Sequence, residues 1–167
     1  SIAKLLFGEV SPSGKLPVTF YDDLTKMPEF TDYSMEGRTY RYMDYEAQYP
    51  FGFGLTYADV DVTAAEVSAL NREVSKNTDV VCTVKAVLKN NSTVDTDEVV
   101  QVYLKNEDSA MAVPNPALCG FKRVFVKAGE ETSVEIPVCR LAFTVVDDNG
   151  ERIMEGSKYS MYVGTSQ

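Results

Sequence analysis

From Val80 to the C-terminus the chain settles into short runs in which apolar residues recur at every second position, separated by turn residues, and that period commits most of this part to extended structure. Val80, Cys82, Val84, Ala86 and Leu88 share one parity, with Thr83, Lys85 and Lys89 on the other, as in a half-buried strand. Asn90-Asn91-Ser92-Thr93 follows; it contains overlapping glycosylation sequons and reads as a turn. Next come Val100, Val102 and Leu104, alternating with Gln101, Tyr103 and Lys105. Val124 and Val126 lead to Ala128-Gly129-Glu130, and Val134, Ile136 and Val138 repeat the period. Asp148-Asn149-Gly150-Glu151 predicts a type I′ hairpin, because Asn-Gly accepts the positive φ angles of that turn. Tyr159, Met161 and Val163 make a final strand. About seven short strands at this spacing predict an all-β, immunoglobulin-like sandwich, with a small barrel left open by periodicity alone.

The 167 residues, 44% hydrophobic and 25% charged, fit one ordinary globular domain plus an extra segment. No apolar run approaches the roughly 20 residues of a membrane helix, and no signal peptide is read in Ser-Ile-Ala-Lys-Leu-Leu-Phe, which looks like the continuation of an upstream sequence. A formal charge of -9 argues against nucleic acid and anionic membrane as partners and is compatible with a neutral ligand. Three cysteines, Cys82, Cys119 and Cys139, sit in apolar strand contexts without Cys-x-x-Cys spacing. Buried reduced thiols are expected, which favours a cytoplasmic setting and leaves secretion open.

Ahead of residue 57 the character changes. Ile2 to Phe7 reads as the end of a helix stopped by Gly8, and Leu16 to Phe20 as a strand after the Ser11-Pro12-Ser13-Gly14 turn. Then come Gly37-Arg38-Thr39-Tyr40-Arg41-Tyr42 and Tyr49-Pro50-Phe51-Gly52-Phe53-Gly54-Leu55-Thr56-Tyr57. Together with Ser11 to Phe20 and Gly120-Phe121-Lys122-Arg123-Val124, these runs resemble the C-terminal end of glycoside hydrolase family 3, the β-glucosidase and β-xylosidase enzymes. The Gly-Arg-Thr-Tyr-Arg-Tyr form looks somewhat more like the β-xylosidase-type members. The resemblance decides for a fibronectin type III-like sandwich. It implies three parts: residues 1–20 as the remnant of an α/β sandwich domain, 21–56 as an interdomain linker, and 57–167 as the fibronectin type III-like domain. It also implies an exo-acting, retaining parent enzyme that removes terminal β-linked glucose or xylose and whose two catalytic carboxyl residues lie upstream, so this region would be accessory and domain-bracing. Its partners would be the upstream catalytic domains and, through the parent, the oligosaccharide substrate. No cofactor or metal is implied.

The chain's own acids point the same way. Retaining glycoside hydrolysis needs two carboxyl groups about 5 to 5.5 Å apart. Asp22-Asp23, Asp95, Asp97-Glu98, Glu130-Glu131 and Asp147-Asp148 all fall beside predicted turns, where solvated acids are expected. With no histidine, Ser-His-Asp and Cys-His catalysis are excluded. Asp147-Asp148-Asn149-Gly150-Glu151 lacks the spacing of a calcium loop. Arg38, Tyr40, Arg41, Tyr42, Tyr49, Phe51 and Phe53 are of the types that stack on sugar rings, yet a rigid Pro- and Gly-bearing path between domains favours docking for them. A carbohydrate-binding module, with Tyr103 and Phe125 outward, and a protein-interaction or oligomerisation domain are the alternatives. Leu16 to Phe20, cut off from its sheet, would be a template for self-association.

Overall fold

The computed structural model describes residues 2–166 and shows an all-β sandwich with an irregular leading segment packed against it. That segment begins with α1 (Ile2–Leu6). Gly8, at φ +72°, ends the helix: its N–H donates to Leu5 C=O, and Glu9 N–H donates to Lys4 C=O, the paired bonds of a left-handed C-terminal cap. Then follow β1 (Phe20–Tyr21), α2 (Thr39–Tyr42) and β2 (Ala47–Tyr49), β1 and β2 forming a small antiparallel pair.

The sandwich holds β3 (Val60–Val67), β4 (Val80–Asn90), β5 (Thr96–Asn106), β6 (Ala117–Val126), β7 (Glu131–Cys139), β8 (Thr144–Val146), β9 (Arg152–Met154) and β10 (Tyr159–Gly164). One antiparallel sheet runs β3-β4-β7, the facing one β10-β5-β6, and β8 pairs with β9. The predicted inward parity fills the space between the sheets: Val84, Ala86, Leu88, Val100, Val102, Val126 and Val138 are inaccessible to solvent. Burying each such Val or Leu side chain contributes about 1.5 to 3 kcal/mol. At Gly120 the sheets come close enough that a Cβ would lie 2.7 Å from Ile136 Cγ2.

Several expectations are corrected. Leu16 to Phe20 is not a strand, because Pro17 lacks an N–H and only Phe20 joins a ladder. Nor is the stretch orphaned: Leu16 exchanges 2.8 Å bonds with Phe53 C=O and Gly52 N–H, and Phe20 pairs with Tyr49. A register shift between Val80 and Cys82 buries Val81 in place of Val80. The 147–151 turn closes through Gly150 N–H to Asp147 C=O, with Gly150 at φ +81° and Asn149 outside the positive region, so it is not type I′. Asp147 Oδ1 accepts from Asn149 and Glu151 N–H instead, an arrangement that Asn-Gly alone does not signal. Of the two sequon asparagines, Asn90 is fully buried, its Nδ2 donating to Val94 and Val126 C=O, whereas Asn91 is exposed and its Nδ2 donates to Asp61 Oδ2. The strand Val60–Val67 was not legible from alternation, since its residues are mostly exposed.

Candidate functional site

Parity places Gln101 and Tyr103 on the outer face of β5, yet they are 3% and 2% exposed. The leading segment covers them. Gln101 Nε2 donates to Gly52 C=O and to Thr165 C=O, both at 3.0 Å, and Tyr103 Oη donates to Gln101 Oε1 at 2.6 Å. Gly52 is at φ +80°, and any Cβ there would run into Gln101 Oε1 and Tyr103 Oη. Close backbone approach is why glycine stands at this position. Burial pushes the Tyr103 phenol well above its ordinary pKa, with nearby Tyr40 adding to the effect, so it remains a neutral donor.

Tyr40 is the second anchor. Its ring stacks on Phe51, centroids 4.2 Å apart and 15° from parallel, and meets Tyr103 edge-on at 6.4 Å. Its hydroxyl accepts from Leu118 N–H at 3.1 Å. Asn115 clamps the same turn from the sandwich side. Its Nδ2 donates to Tyr40 and Met43 C=O at 2.9 and 2.7 Å, and its N–H to Arg41 C=O at 3.2 Å. The chain enters this turn through Thr39, a β-branched residue at φ +55°, a conformation held only where surroundings over-determine it.

A third contact is electrostatic. Lys15 Nζ lies 2.7 Å from Glu98 Oε1, the two side chains 12% and 2% exposed. Glu98, expected as a solvated turn acid, is thus buried; Thr96 and Glu98 follow the parity of the core strand rather than that of a turn. Next to it Ser11 Oγ, Thr56 Oγ1 and Thr96 Oγ1 form a hydroxyl chain with spacings of 2.9 and 3.4 Å. Gly54 packs over Gly14 C=O, again with no room for a side chain.

Of the seven residues predicted from sequence, Tyr40 meets the sandwich directly and Phe51 stacks on it. Phe53 and Tyr49 pack on each other at 5.3 Å, and Tyr49 meets Phe20 edge-on. Arg41 is exposed, its guanidinium over the Tyr40 ring. Arg38 turns away and binds its own preceding loop. Tyr42 is half-buried and makes no side-chain hydrogen bond among the described residues. Sequence reasoning missed the receiving residues Gln101, Tyr103, Asn115, Glu98 and Lys15. A glutamine among core valines and an asparagine between two prolines were the available signals.

Beside Tyr40 a cleft of about 400 Å³ is lined by Thr19, Met43, Tyr45, Glu46, Pro50 and Asn115 among others. Glu46 is the one carboxylate in it, so it lacks the pair that glycoside hydrolysis requires. Tyr40 commits one ring face to Phe51, and the Arg41 guanidinium lies 5.7 Å from its centroid. The three cysteines are free, and burial pushes the Cys119 thiol up to about 12. Of the two aromatics with outward parity, Tyr103 is sealed and Phe125 is exposed.

Comparison with known proteins gives a consistent picture. Residues 1–57 match the family model described as glycosyl hydrolase family 3 C-terminal domain, and residues 98–167 that of the fibronectin type III-like domain. A xylan 1,4-beta-xylosidase of Xylanibacter ruminicola is 36% identical over 168 residues, covering 99% of this chain and 18% of the relative. An exo-alpha-(1->6)-L-arabinopyranosidase of Bifidobacterium breve is 34% identical, covering 99% and 23%. A crystal structure of a Bifidobacterium adolescentis GH3 beta-glucosidase superposes with a TM-score of 0.82 at 34% identity, covering 99% of this chain and 26% of that one. The chain spans about a fifth of the length of the curated relatives it matches.

Proposed function

Because this chain belongs to glycosyl hydrolase family 3 and corresponds to the C-terminal region of its β-glucosidase and β-xylosidase type, we propose that it braces the upstream catalytic domains of an exo-acting β-glycosidase. The parent would cleave terminal β-linked xylose or glucose, the Gly37 to Tyr42 motif favouring xylose, and its catalytic carboxyl groups would lie outside this chain. Residues 57–167 would be the brace and 21–56 the strap joining it to the α/β remnant in 1–20.

The observation that carries this reading is the contrast between what the leading segment, residues 2–57, buries and what it leaves exposed. The segment is sealed to the sandwich at Gly52, Tyr40 and Lys15. The same segment leaves the large apolar or aromatic side chains of Ile2, Leu6, Phe7, Leu24, Phe30, Tyr33, Leu55 and Tyr57 exposed, as at a surface that meets another protein layer. A second layer of protein over these side chains explains both features.

The test is reconstitution. The upstream part of the parent polypeptide, produced separately, should bind this chain and gain thermal stability and turnover of aryl β-xyloside or aryl β-glucoside on mixing. The chain alone should turn over neither. Turnover by the chain alone that disappears on replacing one of its carboxylates would overturn the reading.

A further inference from the structure

Between Pro28 and Gly37 the chain forms a loop that is tightly organised, is tied at its base by Tyr45 Oη donating to Gly37 C=O at 3.2 Å, and is otherwise largely exposed. Arg38 spends its guanidinium on it: Nη2 donates to Glu29 and Asp32 C=O at 3.1 and 2.7 Å, and Nε to Ser34 C=O at 3.1 Å. Asp32 Oδ1 accepts from Ser34 N–H at 2.8 Å, and Asp32 N–H and Arg38 N–H close turns onto Glu29 and Met35 C=O at 3.0 Å each. From this frame Phe30 and Tyr33 project with 92% and 90% of their surface exposed. Two large aromatics held out on a hydrogen-bonded loop form a partly preorganised contact, since the backbone share of the entropy lost on binding is reduced in advance.

We propose that the loop is the knob by which this region seats on the upstream part of the same polypeptide, with Phe30 and Tyr33 entering apolar pockets rimmed by Lys and Arg. This rests on the bracing reading above. The occupant is argued from two observations. About four fifths of the length of the relatives lies outside this chain. The loop's surroundings are also acidic: Tyr21 to Glu46 carries seven Asp and Glu against Lys26, Arg38 and Arg41. Lys26 is paired with Asp22 at 2.8 Å, and Arg38 is committed to carbonyls, so the surface shown to a partner is negative. Its complement is a basic rim around apolar holes.

The test uses the reconstitution system with the double variant Phe30→Ser/Tyr33→Ser. Neither side chain packs on this chain, so folding is unchanged, which circular dichroism checks. Affinity for the upstream part should fall by at least about tenfold, as for central aromatic anchors, and wild-type binding should weaken as salt is raised. Wild-type affinity in the double variant overturns the knob while leaving the brace intact. Failure of the unmutated chain to bind overturns both. Normal binding with a raised KM for xylotriose assigns the two aromatics to the sugar and overturns the knob as well.

Discussion

The Glu98 carboxylate, almost wholly removed from solvent, lies 2.7 Å from the Lys15 ammonium across more than eighty residues of sequence. The pair joins the leading segment to the middle of the sandwich. A charge so deep is tolerated only while its partner is present, because isolated burial of a carboxylate is strongly unfavourable.

Removing one partner should therefore cost more than removing both. Lys15→Met is expected to destabilise the chain by about 3 to 5 kcal/mol, and Lys15→Met/Glu98→Leu to recover most of that loss. Urea unfolding of the two singles and the double, read as a mutant cycle, measures the coupling. Additive losses would mean that the two charges act independently.

Gly52 and Gly150 share a backbone conformation, φ +80° and +81°, but not an environment. Nothing lies within 4 Å of a Cβ built at Gly150, whereas Gln101 and Tyr103 block one at Gly52. Gly150→Ala should cost about 1 kcal/mol for the backbone alone. Gly52→Ala should cost roughly 3 kcal/mol or more, the excess being overpacking. Comparable midpoints in denaturant would contradict the tight seam.

Two residues of one turn should respond unequally. Asn115→Ala removes the two side-chain bonds to Tyr40 and Met43 C=O, keeps the backbone bond to Arg41 C=O, and should cost about 2 kcal/mol. Arg41→Ala removes an exposed side chain over a ring and should cost under about 1 kcal/mol. Thermal melts of both variants decide the order.

Alkaline titration should expose the buried thiol. Burial raises Cys119 from 9.0 to about 12, so between those values the unfolded chain loses the proton while the folded one keeps it. The stability from this group is complete below pH 9 and falls as pH rises toward 12. Cys119→Ala should flatten that limb in melts between pH 8 and 11; an unchanged slope would place the titration elsewhere.

Calorimetry of the chain with xylo- and gluco-oligosaccharides should give no more than weak binding. Tyr103 is sealed and Tyr40 stacks on Phe51, so the two best-placed rings at the seam are already engaged within the chain. Micromolar affinity would favour the carbohydrate-module reading.

How far sequence reaches is clear from individual residues. Val84, Ala86, Leu88, Val134, Ile136 and Val138 announce their burial because a strand with one face in a core must alternate. Gly8 announces a helix end because its φ suits no side chain. Alternation failed at Gln101 and Tyr103, whose polar parity is genuine but whose outer face is roofed by a segment fifty residues away in sequence. At Glu98 alternation held, since it shares the inward parity of Val100 and Val102, but residue type suggested a solvated acid because local pattern carries no record of an incoming lysine. Tyr40, Phe51 and Gly52 were recognisable as special by residue type; what receives them was not, because docking is a long-range property. Arg38, grouped by residue type with the docking residues, spends its guanidinium on the loop beside it, a contact that residue type does not signal.

The roof over β5 bears on how such enzymes recombine. A crossover near residue 57 would deliver a sandwich whose Gln101, Tyr103 and Asn115 are cut to fit the Gly52 and Tyr40 of a different parent. The heritable unit is therefore longer than the sandwich and includes the stretch from Gly37 onward. Chimeras that move residues 37–166 together should keep the seam, and those joined at 57 should inherit a mismatch that no single substitution repairs.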